Sequence, residues 1–262
     1  MSHAASSLSI LQRLTIAWLN FQFYTLLCIV TISFAIVGLS YIGLHRLITR
    51  NDRANRRLIR RTISWYGSFV IRLGWPLVTV RFVDQDPDAE PPFVLTANHP
   101  SSSDGFLMAF LPLEAVQVLN IWPAHLPVIG HMALIAEYLK PREMPFEEFL
   151  AAGSRLLSQG VSVIAFPEGT RSGFKQTGNF HGSAFRLAMH NRVPVVPLVI
   201  FGNNAIPPRG SICLRPGHVV VSKLPAVMPE WYEGLTPFKL KTQVRESILQ
   251  SLGEQSRQRE HA

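Results

Sequence analysis

The stretch FVLTANHPSSSDGF, residues Phe93 to Phe106, joins a short apolar run to a run of polar, turn-forming residues. FVLTA has the length and composition of a buried strand, and Pro100 then turns the chain. A second stretch, VSVIAFPEGTRSG (161–173), repeats the arrangement of an apolar strand followed by a polar motif. Strands that alternate with helical segments are typical of an α/β sheet with helices on its faces. The sequence therefore predicts a mixed, mostly parallel sheet with polar motifs at the ends of two strands.

Other segments supply the remaining elements of this α/β domain. Strands are predicted at VTVRFV (78–83), VPVVPLVIF (193–201) and HVVVSKL (218–224), and helices at TISWYGSFVIRLGW (62–75), between Pro145 and Gly160, at SAFRLAMH (183–190) and from Thr236 to Leu252. The sequence contains no phosphate-loop lysine motif, no Gly-x-Gly-x-x-Gly and no Gly-x-Ser-x-Gly elbow. These absences exclude the nucleotide-binding and serine-hydrolase classes that such motifs define.

The amino-terminal segment is long and apolar. Residues Leu14 to Leu44 include no Asp, Glu, Lys or Arg, and at a rise of about 1.5 Å per residue they exceed the ~30 Å hydrocarbon core of a bilayer. The segment is also far longer than the apolar core of a cleaved signal peptide. We therefore expect a retained membrane anchor, either one tilted spanning helix or a helical hairpin in one leaflet.

Seven arginines follow the apolar segment and are opposed only by Asp52: Arg46, Arg50, Arg53, Arg56, Arg57, Arg60 and Arg61. Such a run is an orientation signal, which places the rest of the chain in the cytoplasm at the inner membrane, and it also predicts a solvated helix face. Attraction to anionic headgroups or to an acidic partner is a second interpretation. The net charge of +8 is also typical of nucleic-acid binding, but the basic residues concentrate beside the anchor, so we expect no nucleic-acid partner.

These patterns divide the chain into three parts. An anchor with its basic segment covers residues 1–62, a catalytic-size domain covers 63–252, and a polar tail covers 253–262. The two cysteines, Cys28 and Cys213, are too few for a disulfide framework or a metal site. They agree with a reducing compartment.

Two interpretations fit His99 and Asp104. Residues five apart lie about 140° apart around a regular helix, so the two side chains cannot meet on one helical face. They can meet if the strand ends near Asn98 and Asp104 enters the first turn of the next helix. Asp104 would then fix the tautomer of His99 and leave the other ring nitrogen as a base for an alcohol. Alternatively, Ser103 or Asp104 caps a helix and His99 only lines the turn.

The motif FPEGTRSG offers a second polar site. Gly169 and Thr170 can present backbone amides, and Arg171, held by Glu168, offers a planar fork for two phosphate oxygens. By itself the motif fits a glycine turn with a surface arginine equally well. Because ligands in open α/β sheets bind outside the carboxyl ends of strands, the two motifs together indicate a base next to a phosphate clamp.

These motifs resemble those of the glycerolipid acyltransferase family, which includes the bacterial 1-acylglycerol-3-phosphate acyltransferases. NHPSSSDG is similar to the family's Asn-His-x4-Asp block, FPEGTRS to its Glu-Gly-Thr-Arg block and VPVVPLVI to its last, proline-containing block. The resemblance covers residues Phe93 to Phe201 well. It implies that His99 is the general base and Asp104 its orienter. It further implies a phosphate-binding set of Glu168, Gly169, Thr170 and Arg171.

The resemblance implies a membrane-bound enzyme of phospholipid biosynthesis that needs no metal or other cofactor. It would transfer a fatty acyl group from coenzyme A or acyl carrier protein to the free hydroxyl of 1-acylglycerol-3-phosphate, giving phosphatidic acid. Two departures concern the acceptor's headgroup. IAEYLKPRE (135–143) replaces a hydrophobic-Asp/Asn-Arg block, which leaves Lys140 or Arg142 as a substitute, and His181 stands where many members have lysine.

Other acceptors, glycerol 3-phosphate or a lyso-aminolipid, therefore stay open. A membrane lipid-binding protein without catalysis is a third interpretation. The presence of both motifs argues against it, because a binding module has no need of a base.

Overall fold

The computed structural model of the chain describes residues 8–119, 129–171, 177–208 and 210–260. In this part of the chain six strands form one sheet in the order β1-β6-β5-β2-β4-β3. Their bounds are β1 Val78–Asp84, β2 Val94–Ala97, β3 Ala115–Gln117, β4 Ser162–Ala165, β5 Val195–Phe201 and β6 Gly217–Lys223. Neighbouring strands are parallel except for β5 and β6. The predicted mixed, mostly parallel sheet is confirmed; only β3, three residues long, carries no periodic signal in the sequence.

Helices cover both faces of the sheet. Their bounds are α1 Ile10–Ser33, α2 Leu39–Thr49, α3 Asp52–Leu73, α4 Asp104–Leu107, α5 Ile129–Ile135, α6 Phe146–Ser158, α7 Ser183–Asn191, α8 Pro229–Tyr232 and α9 Pro237–Glu260. On one face, α6, α7 and α9 bury side chains such as Phe149, Phe185 and Leu240. On the other face, residues around α4 pack with β2 and β5. All seven residues of β5 are buried, which explains its continuous apolar sequence.

The apolar amino-terminal segment is a single helical rod. A π-helical segment, Phe34–Gly38, joins α1 to α2, so the rod runs from Ile10 to Thr49. Within the described residues it is the one helix that is long and apolar enough to cross a membrane. Its 40 residues at about 1.5 Å each give a length of about 60 Å. Of the two expected forms, the structure has the single helix and not a hairpin within Leu14 to Leu44.

Polar contacts fasten α1 to the loop between β5 and β6. The Asn20 amide donates to the Leu214 carbonyl at 3.0 Å and accepts the Leu214 backbone N–H at 2.7 Å. The Tyr24 hydroxyl donates to the carbonyl of Ile212. Ile16 and Phe23 add apolar contacts with the core on that face of the sheet. The rod therefore packs against the domain along part of its length.

The expected solvated arginine face is wrong for Arg60, which is the buried member of the run. Arg60 is only 3% exposed; it donates to the Ala136 carbonyl at 3.0 Å and pairs with Glu114 at 3.0 Å and Glu137 at 2.9 Å. Arg56 and Arg57 pair with the same two carboxylates. Because a buried charge is tolerated only when it is paired, these contacts fix α3 against the segments next to β3 and α5.

Replacing Arg60 with leucine is expected to lower the free energy of unfolding by about 1.5–3 kcal/mol, because the Ala136 carbonyl and one oxygen each of Glu114 and Glu137 lose their buried donor, while Arg56 and Arg57 still pair with the two carboxylates. Thermal unfolding in detergent measures the change. The matched control is Arg61→Leu, since Arg61 is exposed and is expected to stay within about 0.5 kcal/mol of the original protein. Equal unfolding temperatures for the two variants would contradict the structural role of Arg60.

The carboxyl-terminal helix is longer than expected. Thr236 caps it, accepting the Lys239 backbone N–H at 3.3 Å, but α9 continues beyond Leu252 to Glu260. The Gln255 amide donates to the Ser222 hydroxyl at 3.1 Å, so tertiary contacts extend the helix past its apolar stripe. The predicted polar tail is thus helical up to Glu260, and residues 261–262 lie outside the described part.

Candidate active site

The end of β2 is fixed by Asn98. Its amide donates to the Ile200 carbonyl at 2.9 Å and accepts the Ile200 backbone N–H at 2.7 Å. This reciprocal pair bonds the first residue after β2 to β5. The next residue, His99, therefore leaves the sheet in a defined direction. Sequence reasoning missed this role, although a polar residue directly after a buried strand was its signal.

His99 and Asp104 meet as the sequence predicts. His99 Nδ1 lies 2.7 Å from Asp104 Oδ2, and Asp104 is the first residue of α4. The same carboxylate oxygen accepts the Ser101 backbone N–H at 2.8 Å. His99 is 22% exposed and lines a cavity, whereas Asp104 is 0% exposed. The His99 imidazole thus contacts a buried carboxylate through Nδ1 and lines the cavity.

Two serines of the motif form hydrogen bonds that hold the turn between His99 and Asp104. The hydroxyls of Ser101 and Ser103 donate to the Ile206 carbonyl at 3.2 Å and 3.0 Å, and they lie 3.1 Å from each other. Only Ser102 is exposed. Two of the three hydroxyls are therefore engaged in structural hydrogen bonds.

Burial raises the pKa of the Asp104 carboxyl above its usual range. Hydrogen bonds from His99, the Ser101 backbone and the Asn203 amide oppose that rise, because each favours the ionised form. Asn203 donates to Asp104 Oδ1 at 2.5 Å. Sequence reasoning also missed Asn203, which follows the end of β5 as Asn98 follows the end of β2.

Glu168 joins the second motif to the first. It is 5% exposed, and its two carboxylate oxygens accept the backbone N–H groups of His99 at 2.9 Å and of Gly178 at 2.7 Å. The sequence predicts instead that Glu168 holds Arg171. That expectation is wrong, because the described structure has no ion pair between Glu168 and Arg171 and directs both carboxylate oxygens to backbone donors. Glu168 braces the histidine loop, and in the described part of the chain Arg171 is exposed and forms no ion pair.

The rest of the motif lies beside the imidazole. Gly169 has a φ of 66°, and a Cβ atom there would lie 3.1 Å from the ring of His181. Gly169, Thr170, Arg171 and His181 line the same cavity as His99. The structure thus brings the two predicted site motifs together, except for Ser172, which lies outside the described residues.

The cavity has a volume of 1360 Å³ and two kinds of wall. Its apolar wall includes Phe106, Met108, Leu113, Val118, Phe149 and Phe166. Its basic wall includes Arg142, Arg171, His181 and Arg186. Of the two basic candidates in IAEYLKPRE, Arg142 lines the cavity and Lys140 instead pairs with Glu143 at 3.1 Å.

Among the described residues, no cluster of three or more His, Cys, Asp or Glu side chains is arranged to hold a metal ion. The chemical groups that reach the cavity are an imidazole with its carboxylate, several cations and a large apolar surface. Such a site can deprotonate an alcohol near an anionic group and bind a long hydrocarbon chain.

Comparisons with known proteins agree with this arrangement. A family model described as Acyltransferase matches residues 78–201. The chain is 27% identical over 191 residues to a 1-acyl-sn-glycerol-3-phosphate acyltransferase of Limnanthes alba, covering 63% of this chain and 68% of the relative. It is 30% identical over 180 residues to the human 1-acyl-sn-glycerol-3-phosphate acyltransferase alpha, covering 66% of this chain and 62% of the relative.

A solved structure shares the fold. The crystal structure of the 1-acyl-sn-glycerophosphate (LPA) acyltransferase PlsC from Thermotoga maritima matches 93% of this chain and 97% of that chain, with a TM-score of 0.73 and 20% sequence identity. At this identity the likeness concerns the fold. The family model and the relatives confirm the expected resemblance and the O-acyltransferase class. Over residues 78–201 the chain carries the acyltransferase domain that the family model describes.

Proposed function

We propose that this chain transfers a fatty acyl group from a thioester, acyl-CoA or acyl-ACP, to the free hydroxyl of 1-acylglycerol-3-phosphate. The product is phosphatidic acid, an intermediate of phospholipid biosynthesis. The observation that carries the proposal is the contact of 2.7 Å between His99 Nδ1 and Asp104 Oδ2 beside a cavity with basic and apolar walls. The names of the relatives support the choice of acceptor.

The reaction follows from the orientation of the imidazole. Asp104 accepts a hydrogen bond from the Nδ1–H group of His99, so Nε2 is the free base. Nε2 takes the proton of the acceptor's hydroxyl while that oxygen attacks the thioester carbonyl. The tetrahedral intermediate then expels the thiolate, which takes the proton back from the imidazolium. The products are an ester and a thiol, and no acyl-enzyme forms.

Each part of the cavity has a task in this proposal. A histidine base typically supplies a 10²- to 10⁴-fold acceleration, and holding thioester and alcohol side by side supplies much of the remainder. Arg171, with the backbone of Gly169 and Thr170, binds the acceptor's phosphate. The apolar wall binds the fatty acyl chains of the substrates. Arg142 and His181 face the same space and are further candidates for the headgroup.

We further propose that the rod Ile10–Thr49 binds the enzyme to the inner (cytoplasmic) membrane, with the catalytic domain on the cytoplasmic side. The apolar surface of the rod supports membrane binding, and Trp65, Phe69 and Trp75 add exposed aromatic rings on and just after α3. The arginines that follow the rod support the cytoplasmic orientation.

The test of the proposed function is a panel of acceptors and donors. Purified protein is incubated with lysophosphatidic acid, glycerol 3-phosphate and a lyso-aminolipid, each with acyl-CoA and with acyl-ACP, and product masses are read directly. Phosphatidic acid as the main product supports the proposal. Turnover restricted to an acceptor without phosphate contradicts the role given to Arg171, and no turnover with any pair supports a lipid-binding protein.

Replacing Arg171 with alanine is expected to raise KM for lysophosphatidic acid about 10-fold or more, because a charge-assisted hydrogen bond to phosphate is worth roughly 1.5–3 kcal/mol. Initial rates at varied acceptor concentration measure the change. Lys140→Ala is the control, since that lysine pairs with Glu143 and does not line the cavity. An unchanged KM in the Arg171 variant would remove Arg171 from the phosphate site.

A further inference from the structure

Asn203 contacts the turn between β2 and α4 that carries His99, at Ser103 and Asp104. It begins a short 3₁₀ turn, Asn203–Ala205, that follows β5. Gly202, at a φ of 84°, lets the chain turn there, and a side chain on Gly202 would collide with the backbone carbonyl of His218. The close passage of the chain over β6 therefore fixes where Asn203 enters the site.

The amide of Asn203 completes the hydrogen bonding of Asp104. Asp104 Oδ2 is occupied by His99 and by the Ser101 backbone N–H, and Asn203 Nδ2 donates to the other oxygen, Oδ1, at 2.5 Å. The same amide nitrogen lies 3.0 Å from the Ser103 hydroxyl. Asn203 is 2% exposed, so the contact is shielded from solvent. The proposed mechanism assigns no task to this buried amide.

We infer that Asn203 is a positioning residue for the reaction: its hydrogen bond to Oδ1 holds the Asp104 carboxylate with Oδ2 against His99 Nδ1. The inference rests on the proposed role of His99 as the base. An amide suits the task because it donates a hydrogen bond and does not titrate in the range of enzyme activity. Asn203 does not line the cavity, so it acts through Asp104 and not on the substrate.

The pKa of Asp104, in its pair with His99, provides a measurable test of this role. Burial already raises the pKa of Asp104, and the Asn203 hydrogen bond opposes that rise. Other charged or titratable groups near the pair are Glu168, on the His99 backbone, and Arg171 and His181 on the cavity wall. Removing only the Asn203 donor therefore raises the pKa of Asp104 further. Since the mechanism needs Asp104 ionised, the acid limb of the rate profile moves to higher pH.

The test compares Asn203→Leu with Asn204→Leu. Leucine keeps the approximate shape of asparagine and removes the donor, and Asn204 is a matched control because it lies in the same turn, half-buried, with no side-chain hydrogen bond in the described structure. We expect Asn203→Leu to lower kcat by roughly 10- to 100-fold, as for outer hydrogen-bond partners of metal-bound histidines, with KM for the acceptor little changed. The acid limb of the pH–rate profile of Asn203→Leu is expected to move to higher pH, whereas Asn204→Leu is expected to keep the original profile.

A second measurement separates positioning from a general structural role. In a His99→Ala background, Asn203→Leu is expected to change the residual rate by less than about 2-fold, because residues that act as one unit are not additive. If Asn203→Leu fails to fold, Asn203→Ala is judged by the same two criteria. An unshifted acid limb, or an equal loss of rate with and without His99, overturns the inference. Full activity of His99→Ala itself would instead refute the proposed base, so the two failures are distinguishable.

Discussion

Replacing His99 with alanine is expected to lower kcat for acyl transfer by about 10²- to 10⁴-fold, the range that a general base supplies. The loss follows because His99 is the imidazole that combines a buried carboxylate on Nδ1 with a position on the cavity wall. KM for the acceptor is expected to change little, since the basic wall that binds the phosphate stays in place. Single-turnover rates with acyl-CoA and lysophosphatidic acid measure the effect.

Ser102→Ala is the matched control for this experiment. Ser102 is exposed beside His99 in the same turn, and its removal leaves the hydrogen bonds of Ser101 and Ser103 intact. We expect it to retain the original rate. Trapping of a covalent acyl group on Ser101, Ser102 or Ser103 would contradict direct transfer, as would full activity of a folded His99→Ala variant.

The isosteric change Asp104→Asn is expected to lower kcat by up to about 10⁴-fold, the cost of the equivalent change in a serine-protease triad. An amide at this position cannot stabilise the imidazolium that forms when Nε2 takes the proton. The expected effect on stability is small, because two changes oppose each other. Burial raises the pKa of Asp104 in the folded chain, so a neutral amide removes the cost of ionising this carboxyl at neutral pH. The amide also replaces one of the two oxygens that accept hydrogen bonds from the Ser101 backbone and Asn203.

The Asp104→Asn variant should therefore unfold at a temperature close to that of the original protein, while its activity falls. Asp88→Asn, on the exposed loop between β1 and β2, is the control for both measurements. An Asp104→Asn variant that keeps the original kcat would refute the role of Asp104 as orienter. Activity is also expected to fall as the pH decreases through the raised pKa of Asp104.

The sheet and the first motif could be predicted from the sequence because both depend on local signals. Strands buried on both faces show as apolar runs, and β5 is buried at all seven positions. The meeting of His99 with Asp104 follows from a strand end, Pro100 and a helix start, all within eight residues of sequence. These features fix the geometry of the turn before any distant contact forms.

The contacts that could not be predicted join residues far apart in sequence. Asn98 bonds to a strand 102 residues away, and Asn203 reaches Asp104 across 99 residues. Arg60 finds its carboxylates 54 and 77 residues away. In each case the partner is set by which strands and helices are neighbours and in which register. Periodicity does not record that information, so the sequence predicts the wrong surroundings for Glu168 and Arg60.

The two hydrogen bonds between Asn20 and the Leu214 backbone mean that the apolar rod is not interchangeable with a generic apolar helix, whatever its role at a membrane. A generic apolar helix of equal length could have the same affinity for a membrane as the rod. Such a helix would leave the backbone N–H and carbonyl groups of Leu214 without the partner that Asn20 provides. Leu214 belongs to the β5–β6 loop that starts at Gly202 and Asn203. An engineered fusion that exchanges the anchor must therefore carry an amide side chain at the position of Asn20. Under the proposed membrane role, one helix would combine membrane attachment with support of the β5–β6 loop.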